Sequence, residues 1–161
     1  MTHAATSSHR WVREHRIMAA TIGFAAYTAA MLVVEGRIRR TGGPGIVPFE
    51  LAGTGAKAQE ILDRWGPDCE KAARLSMWLD FGYMATYGTL LALLIGRRRR
   101  QRGHPSWLPS LAAGAVTADA VEGVSLLRVL DRRDIAVNAR RAKVAALTKF
   151  AILAVGLGYS I

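Results

Sequence analysis

Cysteine is almost missing from this chain of 161 residues. Cys69 stands alone, so no internal disulfide can close and no cysteine metal cluster can be built. Histidine is scarce as well: His3, His9, His15 and His104 all lie outside the apolar runs. That placement argues against a haem held between histidine pairs and against a buried histidine zinc site. There is no phosphate-cradling glycine loop followed by Lys and Ser or Thr, no dinucleotide fingerprint, and no serine or cysteine nucleophile motif. ATP-driven transport and hydride chemistry are disfavoured accordingly. Period-two alternation is missing too, which removes a barrel strand, and internal repeats are absent.

Acid is the scarcer charge, with 12 Asp and Glu against 22 Lys and Arg, a formal net charge of +10. In a water-soluble chain that excess would suggest nucleic acid, because clustered cations release phosphate counterions. Here the basic residues flank long uncharged runs, where they fix topology and touch anionic lipid headgroups at about 1 kcal/mol each. No nucleic-acid partner is expected. The Arg97, Arg98, Arg99, Arg100 run reads as a solvated connecting loop that meets anionic headgroups of the lipid bilayer.

Four apolar stretches are present, about residues 17–35, 75–96, 107–130 and 144–161. At about 1.5 Å per residue each covers close to the ~30 Å hydrocarbon thickness. They predict an all-α, integral membrane four-helix bundle, a single domain over 1–161, multi-pass in a bacterial-type plasma membrane. A cleaved signal peptide is the alternative for the first run, since Arg10, Arg13 and Arg16 precede it and Ala29 and Ala30 resemble a cleavage site. The run is long for a signal core and is followed at once by Arg37, Arg39 and Arg40, so a retained helix is favoured. Small residues four apart, Ala19 with Gly23, Ala26 with Ala30, and Ala115 with Asp119 and Gly123, suit close helix packing. They leave room for a homo-oligomer or a membrane protein partner. Basic residues on the two sides do not settle the orientation.

Between the first two runs lies the long loop, opening with the turn-rich Thr41-Gly42-Gly43-Pro44-Gly45 and continuing as Pro48-Phe49-Glu50-Leu51. Over 54–65 the pattern is helical, with Ala58, Ile61, Leu62 and Trp65 on one side and Lys57, Glu60 and Arg64 toward the other. Gly66-Pro67 ends it. This is a short amphipathic surface helix, either at the membrane with Trp65 at headgroup depth or packed on the bundle ends.

Ionisable residues inside the apolar runs carry the functional lead, since each costs about 2.5 to 3.5 kcal/mol at a helix centre. Asp80 and Lys149 lie roughly 6 to 8 Å from the long-loop side, Glu122 about 12 Å and Asp119 about 16 Å, with Glu35 ending the first run on the same side. Asp119 and Glu122 share a helix face, and Asp80, Tyr83 and Tyr87 form a stripe. If both faces point inward, Asp80, Tyr83, Tyr87, Asp119, Glu122 and Lys149 line one cavity with the 54–65 helix across its mouth. The plainer possibility is that Asp80 or Glu122 pairs with Lys149 to fix which helices are neighbours. Tyrosines are more often interfacial or core residues than reactive groups, and Trp78 and Trp107 read as interface anchors.

Three functions follow. The cavity binds or transports a proton, a cation or a small amphipathic solute, with a buried carboxylate as the exchanging group. Alternatively, the chain is a membrane-embedded enzyme acting on a lipid or isoprenoid. Asp80, Asp119 and Glu122 then act as acid and base, or hold one magnesium ion through a substrate diphosphate. Alternatively, it is a non-catalytic subunit or scaffold. Outside the magnesium case no cofactor is expected.

Overall fold

Each apolar run falls mostly in a helix, and the helices of the first, second and fourth runs continue past them into charged sequence, where Lys, Arg and Glu are good helix formers. The computed structural model describes residues 3–40 and 44–161, with side chains described for 11, 12, 14–40 and 44–161. The side chains of His3, His9, Arg10 and Arg13 and the turn at 41–43 lie outside the described residues. In chain order come α1 (His3–Arg40), α2 (Ile46–Glu50), α3 (Gly55–Arg102), one 3₁₀ turn (Leu108–Ser110), α4 (Leu111–Leu130) and α5 (Ile135–Ser160). Among the described residues there is no strand. The helices α1, α3, α4 and α5 are each long and apolar enough to cross a membrane.

Gly66-Pro67 ends the first arm of α3, as the sequence implies, and a second helical arm starts directly after the kink. Gly66 takes φ 67° and ψ 177°, a left-handed φ that suits glycine, and Pro67 follows with its fixed φ already suited to a first helical turn. The arm 67–102 is therefore about 54 Å long and overreaches the Leu75–Gly96 run at both ends. Arg97 to Arg100 belong to its last turns and not to a connecting loop, which places cations at the negative end of the helix dipole. Gly103, at φ 68°, closes the arm. Likewise α5 starts at Ile135, well before Val144.

The arm 55–65 begins at Thr54, whose Oγ1 accepts from the Lys57 N–H at 3.2 Å. Its apolar stripe is buried against the ends of the bundle, in one core with Ile38, Phe49, Leu126 and Val129. Trp65 is only 3% exposed, its ring centroid 4.8 Å from that of Phe49 and its indole N–H donated to the Pro44 carbonyl. Of the two placements the sequence allows, packing on the bundle ends is the one observed, because the loop folds back and supplies an apolar surface for the indole to bury. Trp78 and Trp107, in contrast, stay exposed. Arg74 with Asp131 at 2.8 Å and Arg132 with Glu70 at 2.6 Å tie the start of the long arm to the α4–α5 turn. Both pairs are partly solvated, so each contributes at most about 1 kcal/mol.

The rows of small residues divide. Ala115 is fully buried, and the open flank of Gly123 faces Phe81, so α4 packs closely on α3. Ala19, Gly23, Ala26 and Ala30 are exposed, and this α1 row packs against nothing within the described chain. The other face of α1 holds it, through Val34 and Ile38 in the core and through Tyr27, which reaches across to α3 and donates to the Leu79 carbonyl at 3.0 Å. A Cβ at Gly82 would collide with that hydroxyl. Gly82→Ala is expected to cost about 1 to 3 kcal/mol of overpacking despite roughly 1 kcal/mol gained in helix propensity. Thermal unfolding in detergent checks this.

Met18, Ile22, Leu32 and Val33 of α1, Val121 and Val124 of α4, and Val144, Leu147 and Val155 of α5 are all exposed. So broad an apolar surface signals contact with something other than water.

Candidate functional site

The polar centre is built around Lys149 of α5, which is 7% exposed. Its Nζ lies 2.8 Å from Asp119 Oδ1 and 2.7 Å from Glu122 Oε2, and both carboxylates are only 2% exposed. Spacing of three on α4 puts the two acids on one face, so a single ammonium reaches both. The Tyr87 hydroxyl of α3 donates to Asp119 Oδ2 at 2.7 Å, so both Asp119 oxygens are partnered. Such charge-assisted bonds are the compensation that buried ions require.

Asp80, Tyr83 and Tyr87 share one face of α3, as their spacing implies. Tyr83 stacks on Phe24 of α1, centroids 5.5 Å apart, and its hydroxyl is 3.1 Å from Thr28 Oγ1. Asp80 lines the same cavity as Asp119, yet makes no ion pair among the described residues.

A cavity of about 450 Å³ opens beside this cluster. Five of the residues singled out from the sequence line it, namely Asp80, Tyr83, Tyr87, Asp119 and Lys149. Glu122 does not, because it sits behind Lys149 and is sealed from the cavity. Phe24 and Met31 of α1 form one wall and Phe150, Leu153 and Leu157 of α5 the other. Leu90 and Leu94 of α3 continue it away from the long loop, so acids gather at one end and hydrocarbon fills the other.

Comparison with protein-family models, curated proteins and solved structures gives no match. What the site can do therefore rests on its geometry.

The acid that sequence reasoning missed is Glu50, the last residue of α2, which lines the cavity together with Val47. The mouth is thus covered by α2 and not by the 55–65 arm, which contributes nothing to the lining. Glu35 is outside the site and holds α2 in place: its Oε2 accepts from the Ile46 N–H at 3.1 Å while Oε1 pairs with Arg39 Nε at 2.7 Å. Glu50 makes no ion pair among the described residues. Burial holds its carboxyl above the ordinary carboxylate range; Lys149 opposes this and Asp119 adds to it.

The magnesium set Asp80, Asp119 and Glu122 is not assembled. Among the described residues no group of three or more His, Cys, Asp or Glu is placed to hold a metal ion. The physical reason is Lys149, whose ammonium already fills the position between Asp119 and Glu122 where a divalent ion would sit.

Proposed function

We propose that the chain is an integral membrane protein whose cavity binds, and exchanges for protons, a small amphipathic solute that is cationic at its polar end. One observation carries this reading. Three carboxyls (Glu50, Asp80 and Asp119) line the polar end of a cavity that is otherwise hydrocarbon, together with one ammonium, Lys149, which is already paired with Asp119 and with Glu122 outside the lining. Helix pairing accounts for the triad Lys149, Asp119 and Glu122, which locks α5 to α4 as a scaffold would need. It leaves Glu50 and Asp80 unexplained, two acids facing the cavity without a cation. In a low-dielectric site such acids must take up protons or a cation, and a ligand ammonium supplies the charge that is missing. Residues of both α1 and α5 line the cavity, so in a chain that spans a bilayer a solute dissolved in the hydrocarbon would enter between these helices.

The test varies the head and keeps the tail. Purified protein in a non-ionic detergent is titrated with dodecylamine, dodecanol or dodecanoate, and the thermal midpoint is followed. Only the amine should stabilise, and its effect should grow as pH rises and Glu50, held by burial above the ordinary carboxylate range, gives up the proton that competes. Equal stabilisation by all three, or preference for the carboxylate, would sink the reading.

A second reading, an enzyme acting on a lipid or isoprenoid, is favoured by the Tyr87 hydroxyl bonded to Asp119 where polar and apolar ends meet. Turnover of copurifying lipid, read by mass spectrometry, distinguishes it from binding alone.

A further inference from the structure

The opposite side of α5 carries a second feature that shares no residue with the acid-lined cavity. There α4 and α5 form a groove of about 680 Å³. The small residues Gly114, Ala118 and Ala145 line it and leave room along it for a hydrocarbon chain, with Val121 and Val144 beside them. At one end stand Arg140 and Arg141, both exposed and neither in an ion pair or hydrogen bond among the described residues. On α5 the two arginines precede Val144, the first residue of the apolar run, by about 6 and 4.5 Å of rise. The guanidiniums thus stand where headgroups lie when the run spans a bilayer, with the groove leading from them toward the hydrocarbon.

We infer that this groove is a site for an anionic phospholipid, with its phosphate held by Arg140 and Arg141 and an acyl chain laid between α4 and α5. The fork of a guanidinium matches a phosphate, and two of them on successive residues exceed what a zwitterionic lipid would satisfy. A second copy of the chain fits worse. Two copies in the same orientation, meeting through this face, would bring one arginine pair against the other. The site is distinct from Arg97 to Arg100, which lie at the far end of α3.

Native mass spectrometry of the detergent-solubilised protein, titrated with phosphatidylglycerol or phosphatidylcholine, tests it. Wild type should retain phosphatidylglycerol in preference to phosphatidylcholine. The double variant Arg140→Gln/Arg141→Gln should bind phosphatidylglycerol roughly 30-fold more weakly, from about 1 kcal/mol per basic residue, with its circular dichroism unchanged because both side chains are exposed. Ala118→Leu, which fills the groove and keeps both charges, should also lose the lipid. Arg97→Gln/Arg98→Gln should retain it. The inference is overturned if the Arg140/Arg141 variant binds like wild type, if Arg97→Gln/Arg98→Gln loses the lipid instead, or if Ala118→Leu leaves lipid binding intact. It is also overturned if the protein runs as a dimer that Ala118→Leu converts to a lipid-binding monomer.

Discussion

Replacing Lys149 with Met is expected to lower the thermal midpoint by roughly 6 to 20 °C. Met has nearly the volume of Lys, so packing between α4 and α5 is preserved and the change isolates the charge. Asp119 and Glu122, each 2% exposed, lose the ammonium that sits 2.8 and 2.7 Å away. Removing one partner of a buried ion pair costs about 3 to 5 kcal/mol, chiefly through the charge left uncompensated, and each kcal/mol moves the midpoint of a chain this size by roughly 2 to 4 °C. The same reasoning fixes the rescue. The triple variant Lys149→Met/Asp119→Asn/Glu122→Gln carries no stranded charge and should recover most of the loss. If Lys149→Met melts like wild type, the triad does not hold the bundle together. If the triple variant melts no higher than the single one, loss of packing and not of charge is responsible.

Glu50 and Asp80 should behave in the opposite way, contributing to ligand binding at little cost to the fold. Glu50→Gln and Asp80→Asn are each expected to weaken dodecylamine binding by roughly 10- to 100-fold, the worth of about 1.5 to 3 kcal/mol for a hydrogen bond to a charged group. For Glu50 the sign of the stability change can also be worked out. Its folded-state carboxyl is held above the ordinary range by burial, so its contribution to stability is complete in acid and is lost as pH rises through the folded value. Glu50→Gln removes that loss. The variant should therefore melt at or above wild type at neutral pH, and its melting should depend less on pH above the ordinary carboxylate range. Calorimetric binding and a pH series of thermal melts read the two effects separately. Weaker binding together with a lower midpoint at neutral pH would mean that Glu50 is a structural residue.

The helices were legible because an uncharged run long enough to span leaves few alternatives. Their ends were not, because charged flanks such as Asp68 to Arg74 and Arg97 to Arg102 continue a helix as readily as they form a loop. The residues around the cavity could be named from the cost of placing an acid or an amine in an apolar run, which singled out Asp80, Asp119, Glu122 and Lys149. Which of them faces the cavity depends on helix rotation, and that is set by packing. Asp119 and Glu122 differ by three positions, yet one lines the cavity and the other is sealed behind Lys149. Glu50 left almost no local signal. It lies on a helix too short for periodicity, and its position follows from the path of the loop, held by Glu35 and by Trp65 against Phe49. The buried Trp65 shows the same limit, since an amphipathic stripe reveals that a surface is needed without revealing which one.

Photolabelling with a long-chain alkylamine bearing a diazirine at its tail end addresses the cavity most directly. In liposomes the label should map by peptide mass spectrometry to Leu90, Leu94 and Leu157, at the hydrocarbon end of the cavity, and excess dodecylamine should abolish it while dodecanol does not. Labelling spread over outward-facing residues such as Leu32, Val33, Val124 and Val155, insensitive to either competitor, would mean that the acid-lined cavity receives no cationic amphiphile.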